Sequence, residues 1–147
     1  NQPWYEPRYF IPLAGMVIGN SMNGSALVLE RFYDDVKKRR GEIETWVSFG
    51  ATAGEAASDS FRKAYRSSLL PVLTNMTGMG IVFIPGMMTG QILGGSSPIT
   101  AIKYQIVIMA AILGSVALTG YIILTLEYHY FFNKYHLPNE KIFEDTG

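Results

Sequence analysis

The chain has 147 residues, within the range of one ordinary domain, and its 12 Lys plus Arg balance 12 Asp plus Glu. That balance gives no electrostatic case for nucleic acid, and the absence of cysteine removes disulfides, thiolate zinc sites and cysteine nucleophiles. The charges are unevenly spread, however: residues 9–29, 67–102 and 104–126 contain none. About 20 mostly apolar residues cross roughly 30 Å of hydrocarbon, so the expected fold class is all-α, an integral membrane helical bundle with three transmembrane helices.

The first residues, Asn1 to Arg8, are polar and broken by Pro3 and Pro7, unlike a signal peptide. Trp4, Tyr5, Tyr9 and Phe10 read as an outer aromatic belt. A first span is expected over about 12–29, with Pro12 in its first turn, continuing as a helix into Glu30-Arg31-Phe32-Tyr33. The next segment, 30–68, holds eight of the twelve basic residues. By the positive-inside rule it is a cytoplasmic loop.

Inside that loop, Glu42 to Thr52 form a short acidic, aromatic element. A two-turn helix cannot stand alone in water, because nucleation is costly. It needs something to sit against. Gly50 is suited to a left-handed terminator, and Thr52-Ala53-Gly54-Glu55 has the spacing of a capping box that starts a second helix. That helix carries Ala57, Phe61, Ala64 and Ser68 on one face and an Asp59–Lys63 pair one turn apart.

A second span is expected over about 69–93, broken near Ile84-Pro85, with an outer loop at 94–98. A re-entrant segment after Pro85 is the alternative. The third span, about 102–126, emerges into Tyr128, Tyr130, Phe131 and Phe132 as an inner aromatic belt. Residues 1–147 thus read as a single transmembrane domain, multi-pass in a cell membrane and in contact with its lipids.

Small residues recur every fourth position at Gly15/Gly19, Gly86/Gly90/Gly94 and Ala110/Gly114, which marks helix-packing faces in lipid. Asn20, Ser21 and Asn23 in the first span and Thr74, Asn75 and Thr77 in the second need partners there. They read either as interhelical hydrogen bonds or as a solute path. Seven methionines could line a path for a soft cation or fill irregular packing; no Cys or mid-span His joins them, which favours packing. Lys103 is expected to snorkel to the headgroups. Ser21 and Ser25 lack a base for hydrolysis, since His129 and His136 lie beyond the third span. The chain therefore reads as a non-enzyme, with Asn20, Asn23, Asn75, Met87, Met88 and Gln105 as the candidate translocation path.

Several segments, in order, carry a resemblance: 12–22 (PLAGMVIGNSM), Gly50-Ala51-Thr52, Leu70-Pro71, Ile84-Pro85-Gly86-Met87-Met88-Thr89-Gly90 and Ala101-Ile102-Lys103-Tyr104-Gln105. Together they resemble the FetB-type permeases of ABC transporters, whose plant relatives are linked to aluminium tolerance. The similarity runs over about residues 8–133 and looks like the C-terminal part of a longer permease. It implies a subunit with no cofactor of its own, paired with a separate ATP-binding subunit that binds ATP, and with a second permease chain as a homodimer. It also implies metal-ion transport, iron export foremost. Glu44-Thr45-Trp46 followed by Gly50 is similar to the coupling motif of importer-type permeases, although Leu70-Pro71 lies farther downstream. ATPase docking is therefore expected at Glu44, Trp46, Phe49, Gly50, Ala51 and Thr52. The competing class is a membrane assembly protein that transports nothing.

Overall fold

Pro7, whose ring fixes φ and whose missing N–H costs nothing in a first turn, opens α1 (Pro7–Lys38) in the computed structural model, which describes residues 7–131. The helix thus starts five residues before Pro12, which lies inside it; one lost backbone bond near a helix start is tolerable. Arg39 alone separates α1 from α2 (Arg40–Ser48). Gly50 follows at φ 93°, and the N–H groups of Gly50 and Ala51 donate to the Val47 and Trp46 carbonyls at 2.9 and 3.1 Å. That is a Schellman termination, and it requires the left-handed residue that the sequence supplies as glycine.

Thr52 then caps α3 (Ala53–Gly78). Its backbone N–H donates to Glu55 Oε2 at 2.8 Å while the Glu55 N–H donates to Thr52 Oγ1 at 3.3 Å, the reciprocal capping box expected from the spacing. Ala57, Ala64 and Ser68 are buried and Phe61 is half-buried, so the expected face is the one packed. The second uncharged stretch breaks earlier than expected. α3 ends at Gly78, a turn with Gly80 at φ 81° occupies 79–85, and α4 (Gly86–Leu93) begins after Pro85. The turn fits because Phe83 folds back over Gly78, where a Cβ would lie 3.2 Å from its ring. Ser97 caps and Pro98 opens α5 (Pro98–Phe131), with the Thr100 N–H donating to Ser97 Oγ at 3.3 Å.

α1, α3 and α5 pack on one another, α4 lies on α5, and α2 rests on α3 and the end of α1. One buried cluster joins Val28, Phe32 and Val36 of α1, Ile43 of α2, Ala56, Ala57 and Ala64 of α3, and Leu124 of α5. A second joins Val72 of α3 to Ile108, Ile112 and Val116 of α5, flanked by Leu13, Met16 and Val17 of α1. The order of these contacts makes α1 and α5 parallel and α3 antiparallel to both. Gly24 lets α1 and α5 approach closely, since a Cβ there would lie 2.7 Å from Val116 Cγ1. The glycines at four-residue spacing do otherwise: Gly15, Gly19, Gly86, Gly90 and Gly114 have open space where a side chain would be, and Gly94 meets only its own helix's backbone. They are not packing faces within these residues; close approaches between helices fall at Gly24, at Gly54, beside the Tyr128 hydroxyl, and at Gly120, beside Ser68 Oγ.

Among the described residues one helix, Pro98–Tyr130, is long and apolar enough to cross a membrane by length and composition. Ile106, Val107, Leu118, Ile122 and Leu126 on it are exposed, unlike the core helix of a water-soluble domain. α1 and α3 are long enough but more polar, with Asn20, Ser21 and Asn23 on one and Thr74, Asn75 and Thr77 on the other. Trp4, Tyr5, Phe132, His136 and the charged tail lie outside the described residues.

A polar clamp fixes the short helix. The Arg39 guanidinium donates to both oxygens of Glu42 through Nε and Nη2 at 2.8 and 2.7 Å, and Nη1 donates to Asp59 Oδ2 at 2.7 Å. Asp35, one turn back on α1, lies 3.6 Å from the same Nη1 and accepts from the buried Ser60 hydroxyl at 2.6 Å. Lys63 completes the set, 2.9 Å from Asp59 and 3.7 Å from Asp35. The bond from Arg39 holds the Glu42 carboxyl below its ordinary pKa, the bond from Lys63 does the same for Asp59, and the Asp59 bond raises Lys63. α1, α2 and α3 therefore share one charge network at the corner between them.

Three outcomes are expected. Phe32→Ala, which empties a fully buried site, should cost about 3–5 kcal/mol, read from thermal unfolding in detergent. A carboxylate with a depressed folded pKa adds stability above its unfolded pKa that is lost as pH falls through the folded value. Below about pH 4 the α2 amides should therefore exchange hydrogen faster while those of α5 do not. Arg39→Gln should produce that faster exchange already at neutral pH.

Candidate functional site

The polar residues of the apolar half of the bundle come together at one place. Met16 and Asn20 of α1, Val72 and Asn75 of α3, Pro85 with Gly86 and Met87 at the start of α4, and Gln105, Ile108, Met109 and Ile112 of α5 line a cavity of about 170 Å³. Four of the six residues expected on a path, Asn20, Asn75, Met87 and Gln105, are among them. Asn23 is exposed and Met88 lies outside the lining: Met88, one residue beyond Met87, is turned about 100° away from it, whereas Asn23, three residues beyond Asn20, sits at the edge of the same face and stays outside the cavity. Met16, Met109, Pro85 and Gly86 were missed as path residues. Met16 and Met109 stand one helical turn from Asn20 and Gln105, which was the available signal; Pro85 and Gly86, adjacent to Met87 at the helix start, carried none.

The cavity is neutral and unevenly satisfied. Asn20 Nδ2 donates to the Met16 carbonyl at 2.8 Å. Gln105 is 5% exposed yet makes no hydrogen bond with another described residue. Among the described residues no buried side-chain N or O atom is both sealed from solvent and unbonded, so the Gln105 amide reaches the cavity's open space. No charged side chain lines the cavity, and the described residues contain no group of three His, Cys, Asp or Glu able to hold a metal ion. Beside it, Ser21 Oγ and Ser115 Oγ lie 2.6 Å apart, and Ser21 also donates to the Val17 carbonyl at 2.8 Å. Ser21 is thus tied to α5, while Ser25 donates to the Ser21 carbonyl at 2.7 Å within α1. Lys103 is exposed.

At the charged end, α2 turns its two faces to different environments. Ile43 is fully buried and Val47 packs against the same cluster, whereas Trp46 is 55% and Phe49 85% exposed. Both aromatics therefore face outward on an element whose other face is packed. Glu44 is engaged within the chain, accepting from Arg40 Nε at 2.8 Å. Gly50 and Thr52 shape the corner, with Ala51 half-buried between them. Of the residues expected to dock a partner, Phe49 and Trp46 are exposed, Trp46 also hydrogen-bonded through its side chain to Glu42, and the others set their position.

Two further contacts went unread in the sequence. The Tyr33 hydroxyl donates to Glu127 Oε2 at 2.7 Å, tying α1 to α5; burial first, and then that carboxylate, push its pKa up to about 12. Phe61, Arg62, Tyr65, Tyr121 and Tyr128 line an open groove of about 480 Å³ between α3 and α5. The partners of each lie some 60 to 95 positions apart, beyond any local pattern.

Comparison with known proteins follows the same features. A family model described as the uncharacterised protein family UPF0014 matches residues 1–132. A UPF0014 membrane protein of Synechocystis sp. is 41% identical over 132 residues, 90% of this chain and 51% of that protein. The protein ALUMINUM SENSITIVE 3 of Arabidopsis thaliana is 35% identical over 139 residues, 95% of this chain and 51% of the relative. A protein of Escherichia coli named "Probable iron export permease protein FetB" is 35% identical over 132 residues, covering 90% and 51%. The chain thus spans about half the length of these relatives, and no solved structure matches it. With a model matching all but its last 15 residues, the chain belongs to the UPF0014 family of membrane proteins.

Proposed function

We propose that the chain is the part of a membrane permease that joins the cargo's path to an ATP-hydrolysing partner. The cargo is a metal ion, as the name of the E. coli relative suggests, with iron export foremost, or a small solute. The observation that carries this reading is α2: a short helix held rigidly by Arg39 that offers Trp46 and Phe49 outward. In this reading the segment 30–68 is cytoplasmic, α1 and α5 span the membrane, and α3 with α4 forms the third, broken crossing. Unpaired N–H groups at that break are tolerable only against protein or a water-filled cavity, and Gly86 and Met87 line one. ATP binds only the partner. Two permease chains with two ATPases follow the closed symmetry common in homo-oligomers.

Docking supplies the drive only if the partner holds α2 differently before and after ATP closure. α2 cannot swing freely, because Arg39 ties it to Glu42, Asp59 and Asp35. Its displacement must carry the ends of α1 and α3, and these same helices bring Asn20 and Asn75 to the cavity.

Phe49→Ala and Trp46→Ala in the full-length permease should each weaken retention of the ATP-binding subunit about tenfold or more, as buried aromatic anchors do, with unchanged circular dichroism. Retention unaffected by both changes, together with no ATP-dependent iron movement in reconstituted vesicles, would instead support a membrane assembly protein without transport. Gly50→Ala, which forces a Cβ into the left-handed region, should cost about 1 kcal/mol locally and reduce ATP-dependent transport more than it reduces protein yield.

A further inference from the structure

The break between α3 and α4 leaves donors without acceptors. α4 has no side-chain cap, and the first of its N–H groups to find an acceptor is that of Thr89, which donates to the Pro85 carbonyl at 3.0 Å. The N–H groups of Gly86, Met87 and Met88 have none among the described residues. Gly86 and Met87 line the cavity, and at Gly86 a Cβ would meet nothing within 4 Å, so a ligand can come close to the backbone there. Gln105, 95% buried and unbonded, opens into the same space from α5. The exposed Asn75 also lines it; its backbone carbonyl accepts from the Met79 N–H at 3.1 Å, while its side-chain amide has no hydrogen-bond partner among the described residues.

We propose that this cavity is an oxyanion site, in which a phosphate or carboxylate group is held by the first-turn N–H groups of α4 together with the Gln105 and Asn75 amides. The inference deepens the reading of the cavity as the cargo's place and rests on it. The open end of a helix carries a partial positive charge, about half an elementary charge, and its N–H groups converge on an anion. Each amide adds an NH₂ group that bonds an oxygen acceptor. With no carboxylate in the lining, a bare hard cation such as Fe³⁺ or Al³⁺ would find no charged oxygen ligand. A soft cation could use the thioethers of Met16, Met87 and Met109, but it would face the positive helix end and leave the free N–H groups unpaired. An oxyanion satisfies both. The volume, about 170 Å³, is that of roughly six liquid waters at about 30 Å³ each, which accommodates a phosphate group.

The test is equilibrium binding of inorganic phosphate, and in parallel citrate, to the full-length permease in nanodiscs without ATP or partner. Saturable binding of either is expected. Gly86→Pro, which removes one N–H at a position where proline suits the helix start, should weaken it about tenfold, the scale of one charge-assisted hydrogen bond. Gln105→Leu should do the same, with the melting temperature checked for folding, and Met22→Leu, at an exposed position outside the lining, should leave it unchanged. Neither anion binding, or equal binding in Gly86→Pro and wild type, overturns the site. So does Ag⁺ binding that Met109→Leu abolishes while phosphate and citrate fail to bind, which would assign the cavity to a soft cation. Phosphate binding without any ATP-driven transport supports the site and removes the permease reading, whereas transport without binding of either anion removes the site alone.

Discussion

One guanidinium organises the charged end of this molecule. A nine-residue helix such as α2 has too few internal bonds to persist alone, and its buried contribution reduces to Ile43 and part of Val47. What it lacks in length is supplied by Arg39, the single residue between α1 and α2, whose donors reach forward to Glu42, back to Asp35 and across to Asp59. An isolated surface ion pair would contribute little. Here five charged groups and the buried Ser60 hydroxyl share one corner, with Arg39 only 20% exposed. The geometry of three helix ends is set jointly.

That corner is connected to the cavity by helix rather than by loop. From Arg39 to Asn20 is 19 residues of unbroken α1, roughly 28 Å at 1.5 Å per residue. Ties to α5 keep α1 in register along that length: Tyr33 with Glu127, Gly24 against Val116, and Ser21 with Ser115. Two turns interrupt the helices of the apolar half: 79–85, with Gly80 at positive φ and Ile81 and Val82 exposed, and 94–97, with Gly95 at φ 89°. A packed bundle with stiff helices concentrates any rearrangement at such breaks, and at the first of them Pro85, Gly86 and Met87 meet the cavity.

What was legible in the sequence was local. The capping box at Thr52 and Glu55, the left-handed Gly50 and the Asp59–Lys63 pair are encoded in spacings of three or four residues, and each is present. The segments matched to a family carried further still, because they preserve the order of the whole chain. The rest depended on which way helices face. Small residues at Gly15 and Gly19 obey the packing pattern yet point into open space, while the contact with α5 uses Gly24, off that stripe. Asn20 and Asn23 look equivalent in sequence, but only the first turns inward. Arg39 was one of four consecutive basic residues, and only its partners from two other helices distinguish it.

The neutrality of the cavity bears on how a transporter must handle cargo. A site that moves its ligand has to bind it well enough to admit it and weakly enough to release it. Buried full charges work against the second requirement, since removing a ligand from them leaves an uncompensated ion costing several kcal/mol. Amide side chains and helix-end N–H groups leave a smaller debt, and water entering the cavity can satisfy them when the ligand departs. Gln105 illustrates the point: nearly buried and unbonded, it is costly in a dry cavity and inexpensive in a filled or wet one. On the reading advanced above, the same break in α3–α4 that exposes those N–H groups also governs whether water or cargo reaches them. The packing of the turn at 79–85 would then set both the affinity of the site and its access.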